Sequence, residues 1–159
     1  MFTCREAMPW GAGLCIRRNV AASYRQYWKQ SLIHIPDRSG KALVSGGDVE
    51  ISYVAYSLGL GMGLFPELKL NHLIPKERVA EDYFVRLRDG IALSDNLLAY
   101  KWQRKLPPNY LSFFGLLGIL NNLLVYRGIH RRIYLAWVRA AISARRLITA
   151  SESIAPNFK

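Results

Sequence analysis

The apolar positions of this chain follow two rhythms. Spacings of three and four residues at Tyr24, Tyr27 and Trp28, and again at Ile51, Val54, Ala55 and Leu58, predict helices. The second is expected over Asp48–Leu58, because Ser45 and Asp48 stand at the S-x-x-D spacing of a helix N-cap. Gly59, Gly61 and Gly63 end it. Three short apolar runs, Gly11–Ile16, Gly61–Phe65 and Leu68–Leu73, read as strands, and Pro36–Gly40 reads as a polar turn. Pro75 then opens a long helical segment over Lys76–Arg104, with an interruption expected near Gly90. Beyond Pro107 and Pro108 come two further helices, Tyr110–Tyr126 and Ile129–Ala150, divided by Gly128. Strands interspersed with helices predict an α/β fold with a short mixed sheet, followed by C-terminal helices.

The two last helices differ in kind. Leu111–Val125 is the most apolar run, but it is 15 residues long and contains Ser112, Asn121 and Asn122. A spanning helix needs about 20 predominantly apolar residues, so a transmembrane segment is not expected. In the helix after Gly128, Arg132, Arg139 and Arg146 recur every seven residues on one face. Ile133, Trp137, Ala140, Ala144 and Leu147 make the opposite face. Such a basic amphipathic helix suits the interface of an anionic bilayer, and equally suits packing on its own domain with a solvated basic face.

Charge sharpens this contrast. Residues 1–95 carry 12 Lys and Arg against 10 Asp and Glu, whereas the last 64 residues carry 10 against 1. The basic excess therefore points to an anionic partner of the C-terminal part, an anionic membrane surface before nucleic acid. Nucleic acid is disfavoured because the aromatic residues are not interleaved with basic ones on a strand platform. With 51% hydrophobic residues the chain has material for one cored domain and an appendage. Cys4 and Cys15 form no C-x-x-C pair and stand beside no cluster of His, which indicates a reducing compartment. The first six residues lack the basic and apolar regions of a secretory signal. The expected location is cytoplasmic, peripheral on the inner face of the plasma membrane.

Most common catalytic signatures are absent: no phosphate-binding Gly loop, H-E-x-x-H, nucleophile elbow or paired-Cys zinc pattern occurs. What does occur is an ordered set. Pro9-Trp10-Gly11-Ala12-Gly13 precedes Arg17-Arg18; then come Ser45-Gly46-Gly47-Asp48-Val49-Glu50, His72-Leu73-Ile74-Pro75 with Arg78, and Tyr83. Asp48 and His72 are separated by 24 positions, from 48 to 72. Over about residues 8–100 this order resembles the second half of bacterial family 2 glycosyltransferases, inverting enzymes that build polysaccharides. Their pattern is a G-A-G-type acceptor strand ending in Arg, a Ser/Thr-Gly-Glu-Asp-x-Glu/Asp motif, and a His-x-I-P element.

The resemblance implies a partial GT-A fold and a function: transfer of a sugar from a nucleotide-sugar donor to a glycan or lipid-linked acceptor. It implies that Asp48 is the general base for the attacking hydroxyl; the spacing alone fits a helix cap with Ser45. His72 maps to a position that in some members helps bind a divalent cation, Mg or Mn, on the donor diphosphate; a lone His is as readily a structural residue. Arg78 and Lys76 would neutralise the leaving diphosphate, or else are a solvated first helical turn. Trp10, Gly11 and Gly13 would present a flat wall to the acceptor sugar, or Trp10 is a core residue. Glu50 would orient acceptor hydroxyls.

Two departures qualify the match. Gly47 stands where many relatives have Glu, and the sequence contains no D-x-D. Residues 1–106 are therefore expected to be the acceptor-side portion of a GT-A domain, 107–152 two membrane-associating helices and 153–159 a tail. The nucleotide-binding half is expected to be missing, so activity should require a complementing chain. Tight cation binding by this chain alone is not expected, and unpaired sheet edges would favour self-association. The alternative is a non-catalytic membrane-surface or scaffold protein of the same ancestry.

Overall fold

The computed structural model describes Met8, residues 11–35, Arg38 and residues 43–154. Among these residues the fold is helical. Five α-helices follow in order: α1 (Arg18–Gln30), α2 (Gly47–Ser57), α3 (Glu81–Gln103), α4 (Phe113–Val125) and α5 (Gly128–Ile154), with a 3-10 turn at Lys76–Val79.

The α/β expectation is thus corrected: no strand forms among the described residues. Gly11–Ile16 is a turn, with the Leu14 N–H donating to the Gly11 carbonyl at 3.3 Å and Gly13 at φ 82°, followed by unpaired extended chain. The segments 61–65 and 68–73 have no regular secondary structure and flank a turn that Leu68 N–H closes onto Phe65 O at 3.0 Å. Leu64, Phe65, Leu68, Leu70 and Leu73 are all exposed there. An apolar run becomes a strand only when a neighbour completes its ladder. No such neighbour lies among the described residues, so no GT-A half-sheet forms. The turn expected at Pro36–Gly40 lies outside the described residues except for Arg38.

The helices start and stop for local reasons. Asp48 and Glu50 place negative charge in the first turn of α2, where the macrodipole favours it. The cap itself differs from expectation: Gly46 is the N-cap residue and no side chain caps it. Ser45 instead donates its backbone N–H to Ser94 Oγ at 3.2 Å. Helix α2 closes in a Schellman motif: Gly59, at φ 71°, donates to Tyr56 O at 2.9 Å, and Leu60 donates to Ala55 O at 3.1 Å. Helix α3 runs unbroken through Gly90 and ends at left-handed Arg104. Helix α4 begins at Phe113, after the expected Tyr110, and Ser112 Oγ accepts the Gly115 N–H at 3.1 Å.

The core joins both ends of the sequence. Ile35, Val44, Tyr53, Leu97, Leu98 and Tyr100 cluster with Ala144 and Ile148 of α5. Trp102 seals one side, stacked on Tyr27 at 5.0 Å and edge-on to Tyr53 at 5.5 Å. Helices α3 and α5 form the principal pair. Their contact is close because α5 presents the small residues Ala136, Ala140, Ala141 and Ala144, all buried. The amphipathic face expected for α5 is therefore split. Ala140 and Ala144 are in the core, whereas Trp137 and Leu147 are exposed beside it.

Candidate functional site

The N-terminal turn and α2 meet at Asp48. Its Oδ2 accepts the Gly11 N–H at 2.9 Å, and its Oδ1 accepts the Val49 N–H at 2.9 Å. The side chain is half-buried. Glycine fits closely at both expected positions of the turn, and Gly13 requires it. A Cβ on Gly11 would come within 3.1 Å of Asp48 Oδ2, and one on Gly13 within 2.5 Å of Leu70 Cδ2. Gly13 also holds a positive φ, which only glycine adopts readily. The structure thus brings three expected residues together, Gly11, Gly13 and Asp48, by packing the turn over the start of α2. Trp10, expected as the sugar-stacking wall, lies outside the described residues.

Beside this junction opens a cleft of about 610 Å³. One wall is the 12–17 segment, a second is Ile51, Ser52 and Ala55 of α2, and the third is the 60–70 chain. Asp48 stands one helical turn before Ser52, whose hydroxyl donates to the Asp48 carbonyl at 2.8 Å. The lining is largely apolar, with Arg17 its single charged residue among those described. Such a cleft has room for a ring with one apolar face. Arg17, Ser52 and Phe65 were not singled out by spacing. Arg17 carries the only advance signal, since it ends the G-A-G run.

Glu50 takes a different part. It is 1% exposed, and both its oxygens are engaged, by the Tyr24 hydroxyl at 3.3 Å and by Lys101 Nζ. The carboxylate expected to orient an acceptor faces α1 and α3 in the interior.

His72, Lys76 and Arg78 lie on the exposed stretch that follows the cleft. Among the described residues no three His, Cys, Asp or Glu side chains come together as a metal-binding group. A divalent cation needs several oxygen or imidazole donors. His72 alone does not fit that requirement, so no step is assigned to a metal on this chain. Comparison with protein-family models, with curated proteins and with solved structures gives no match.

Proposed function

We propose that this chain is the acceptor-side segment of an inverting family 2 glycosyltransferase, in which Asp48 is the general base. The observation that supports this reading is the 2.9 Å hydrogen bond from Gly11 N–H to Asp48. It fixes a carboxylate at a helix N-terminus, one helical turn from Ser52, which lines an apolar cleft with room for one face of a sugar ring. In the reaction the acceptor oxygen attacks the anomeric carbon, the bond to the nucleoside diphosphate breaks with inversion, and Asp48 takes the hydroxyl proton. General-base assistance of this kind is worth about 10²- to 10⁴-fold.

Donor binding is assigned to a complementing segment that bears the D-x-D this sequence lacks. Lys76 and Arg78, both exposed, are assigned to the departing diphosphate once that segment is docked. His72 is assigned to the cation only as one ligand among others that the complementing segment supplies. The setting is the cytoplasmic face of the plasma membrane. No helix among the described residues is long and apolar enough to cross a membrane.

The test is reconstitution with a D-x-D-bearing N-terminal half and measurement of nucleoside diphosphate released from a panel of UDP- and GDP-sugars. Asp48→Asn should reduce release at least about 100-fold with the helical circular dichroism unchanged. A retained rate removes Asp48 as the base, and turnover by the 159-residue chain alone refutes the division of labour. One observation favours a second reading, a non-catalytic membrane-surface protein of the same ancestry: the apolar exposure of α4.

A further inference from the structure

Helix α4 is inside out for a helix in water. Its half-buried positions, Gly115, Gly118, Ile119, Asn122 and Leu123, follow helical spacing and so share one face. That face meets the body: Asn122 Nδ2 donates to the Tyr134 hydroxyl at 3.2 Å, and a Cβ on Gly115 would strike Asn109 O at 2.4 Å. The remaining positions carry Phe113, Phe114, Leu116, Leu117, Leu120, Leu124 and Val125 with Asn121 as the one polar residue, all exposed, Phe114 at 82%. No residue of α4 is fully buried. Most of the large apolar side chains thus point away from the protein, while Asn122 points toward it beside Ile119 and Leu123.

What covers such a face is indicated by charge. Residues 106–126 contain no Asp, Glu, Lys, Arg or His. They are bracketed by Arg104 and Lys105 on one side and by Arg127 and Arg131 on the other, all exposed. The single acid of the last 64 residues, Glu152, is engaged by the Tyr100 hydroxyl. Two copies joined through α4 would bring these basic brackets against each other, whereas an anionic surface complements both. Thirteen residues of helix span about 20 Å, short of the roughly 30 Å of hydrocarbon in a bilayer. A helix of that length with one apolar face lies in the interface rather than across it. Tyr110 and Tyr126, at its two ends, suit the headgroup level.

We infer that α4 is an in-plane anchor that seats the protein on an anionic phospholipid bilayer. Its Phe and Leu face enters the acyl boundary, and Arg104, Lys105, Arg127 and Arg131 meet headgroup phosphates. The anchoring helix is therefore α4, while the small-residue face of α5 belongs to the core. This assignment is independent of the chemistry proposed for Asp48, and its test uses no sugar.

The 159-residue chain is floated with vesicles of phosphatidylcholine containing phosphatidylglycerol, and with phosphatidylcholine alone, at low and high salt. The expected result is binding to the anionic vesicles that is at least about tenfold tighter and that salt weakens. The double variant L116E/L120E, at two exposed positions, should lose about 100-fold or more. L73E/I74E, an equal charge change on exposed apolar residues outside α4, should bind as the unaltered chain does. R127E/R131E should lose the preference for anionic lipid while α5 stays helical, since acids suit a helix N-terminus. Absence of vesicle binding overturns the inference, as does equal loss in L73E/I74E or undiminished anionic preference in R127E/R131E. A lipid-free dimer that L116E/L120E dissociates, without vesicle binding, identifies a second copy as the occupant and also overturns it.

Discussion

Lys101 on α3 reaches across to Glu50 on α2, and both charged ends are withdrawn from solvent, at 4% and 1% side-chain exposure. The Tyr24 hydroxyl donates to the other Glu50 oxygen at 3.3 Å, and the Tyr27 ring lies 5.0 Å from Lys101 Nζ. Burial, and after it the Glu50 charge, push the Tyr27 hydroxyl pKa up. The cluster ties three helices at one point. A buried pair adds little net stability compared with apolar residues of the same size, but removing one partner strands the other. Glu50→Ala is therefore expected to destabilise by about 3–5 kcal/mol, and Glu50→Leu combined with Lys101→Met to recover most of that loss. Urea denaturation of the single and double variants measures both. A single variant as stable as the unaltered chain would show that the pair does not hold α2 to α3.

Gly90 decides how the 43–46 segment enters α2. A Cβ there would come within 2.4 Å of the Leu43 carbonyl oxygen and 2.8 Å of the Val44 nitrogen, and backbone has little room to yield. One turn later Ser94 Oγ accepts the Ser45 N–H and donates to Gly90 O at 3.0 Å, so the crossing is fastened as well as close. Alanine is the better helix former by about 1 kcal/mol. Gly90→Ala is nonetheless expected to lower stability by about 1–3 kcal/mol, because the overlap with backbone outweighs the propensity gain. A melting temperature equal to or above that of the unaltered chain would sink this account of the crossing.

Gly90 also shows where reading the chain alone stops. Spacing of apolar residues pointed to α1 and α2, because the 3.6-residue period is a property of the helix itself, whereas Pro and Gly bounded the later segments and the one expected from Lys76 divides into a 3-10 turn and α3. The same reading expected a break at Gly90, since a glycine inside a helix signals weakness unless a crossing segment 46 residues away requires it. The strands failed for a related reason. The runs 11–16, 61–65 and 68–73 have strand composition, but a strand is completed by its neighbour and no run contains one. At the candidate site, Gly11, Gly13 and Asp48 were singled out and are together, although 37 residues separate Gly11 from Asp48. The family resemblance implies an acceptor role for Glu50, whereas Lys101, 51 residues on, pairs with it in the interior. The apolar character of α4 was visible, but not that its amide side would turn inward. That orientation depends on Tyr134 of another helix.

Arg132 stands in the first turns of α5, where the macrodipole disfavours a cation, and it bonds to two acids in the first turn of α3. It reaches Glu81 Oε1 at 3.1 Å and also Asp82 Oδ1, so the two helix N-termini are clamped by opposite charge. The hydrogen bond from Arg132, and next its charge, hold the Asp82 carboxyl below the usual carboxylate range. The unfolded chain consequently keeps its Asp82 proton at a pH where the folded chain has released it. The clamp contributes fully above the ordinary carboxylate range, and its contribution is lost as pH falls through the lowered folded value. Asp89 works the other way. Burial raises its pKa against the opposing charge of Arg139, so acidification relieves a desolvated charge. Because both partners of the clamp are exposed, its effect is modest and screened by salt. Asp82→Asn is expected to flatten the acid limb of the melting temperature against pH while changing the neutral value little. Added salt should flatten the limb of the unaltered chain in the same direction. Superimposable acid limbs for the two proteins at low salt would mean that the clamp contributes nothing to the folded state.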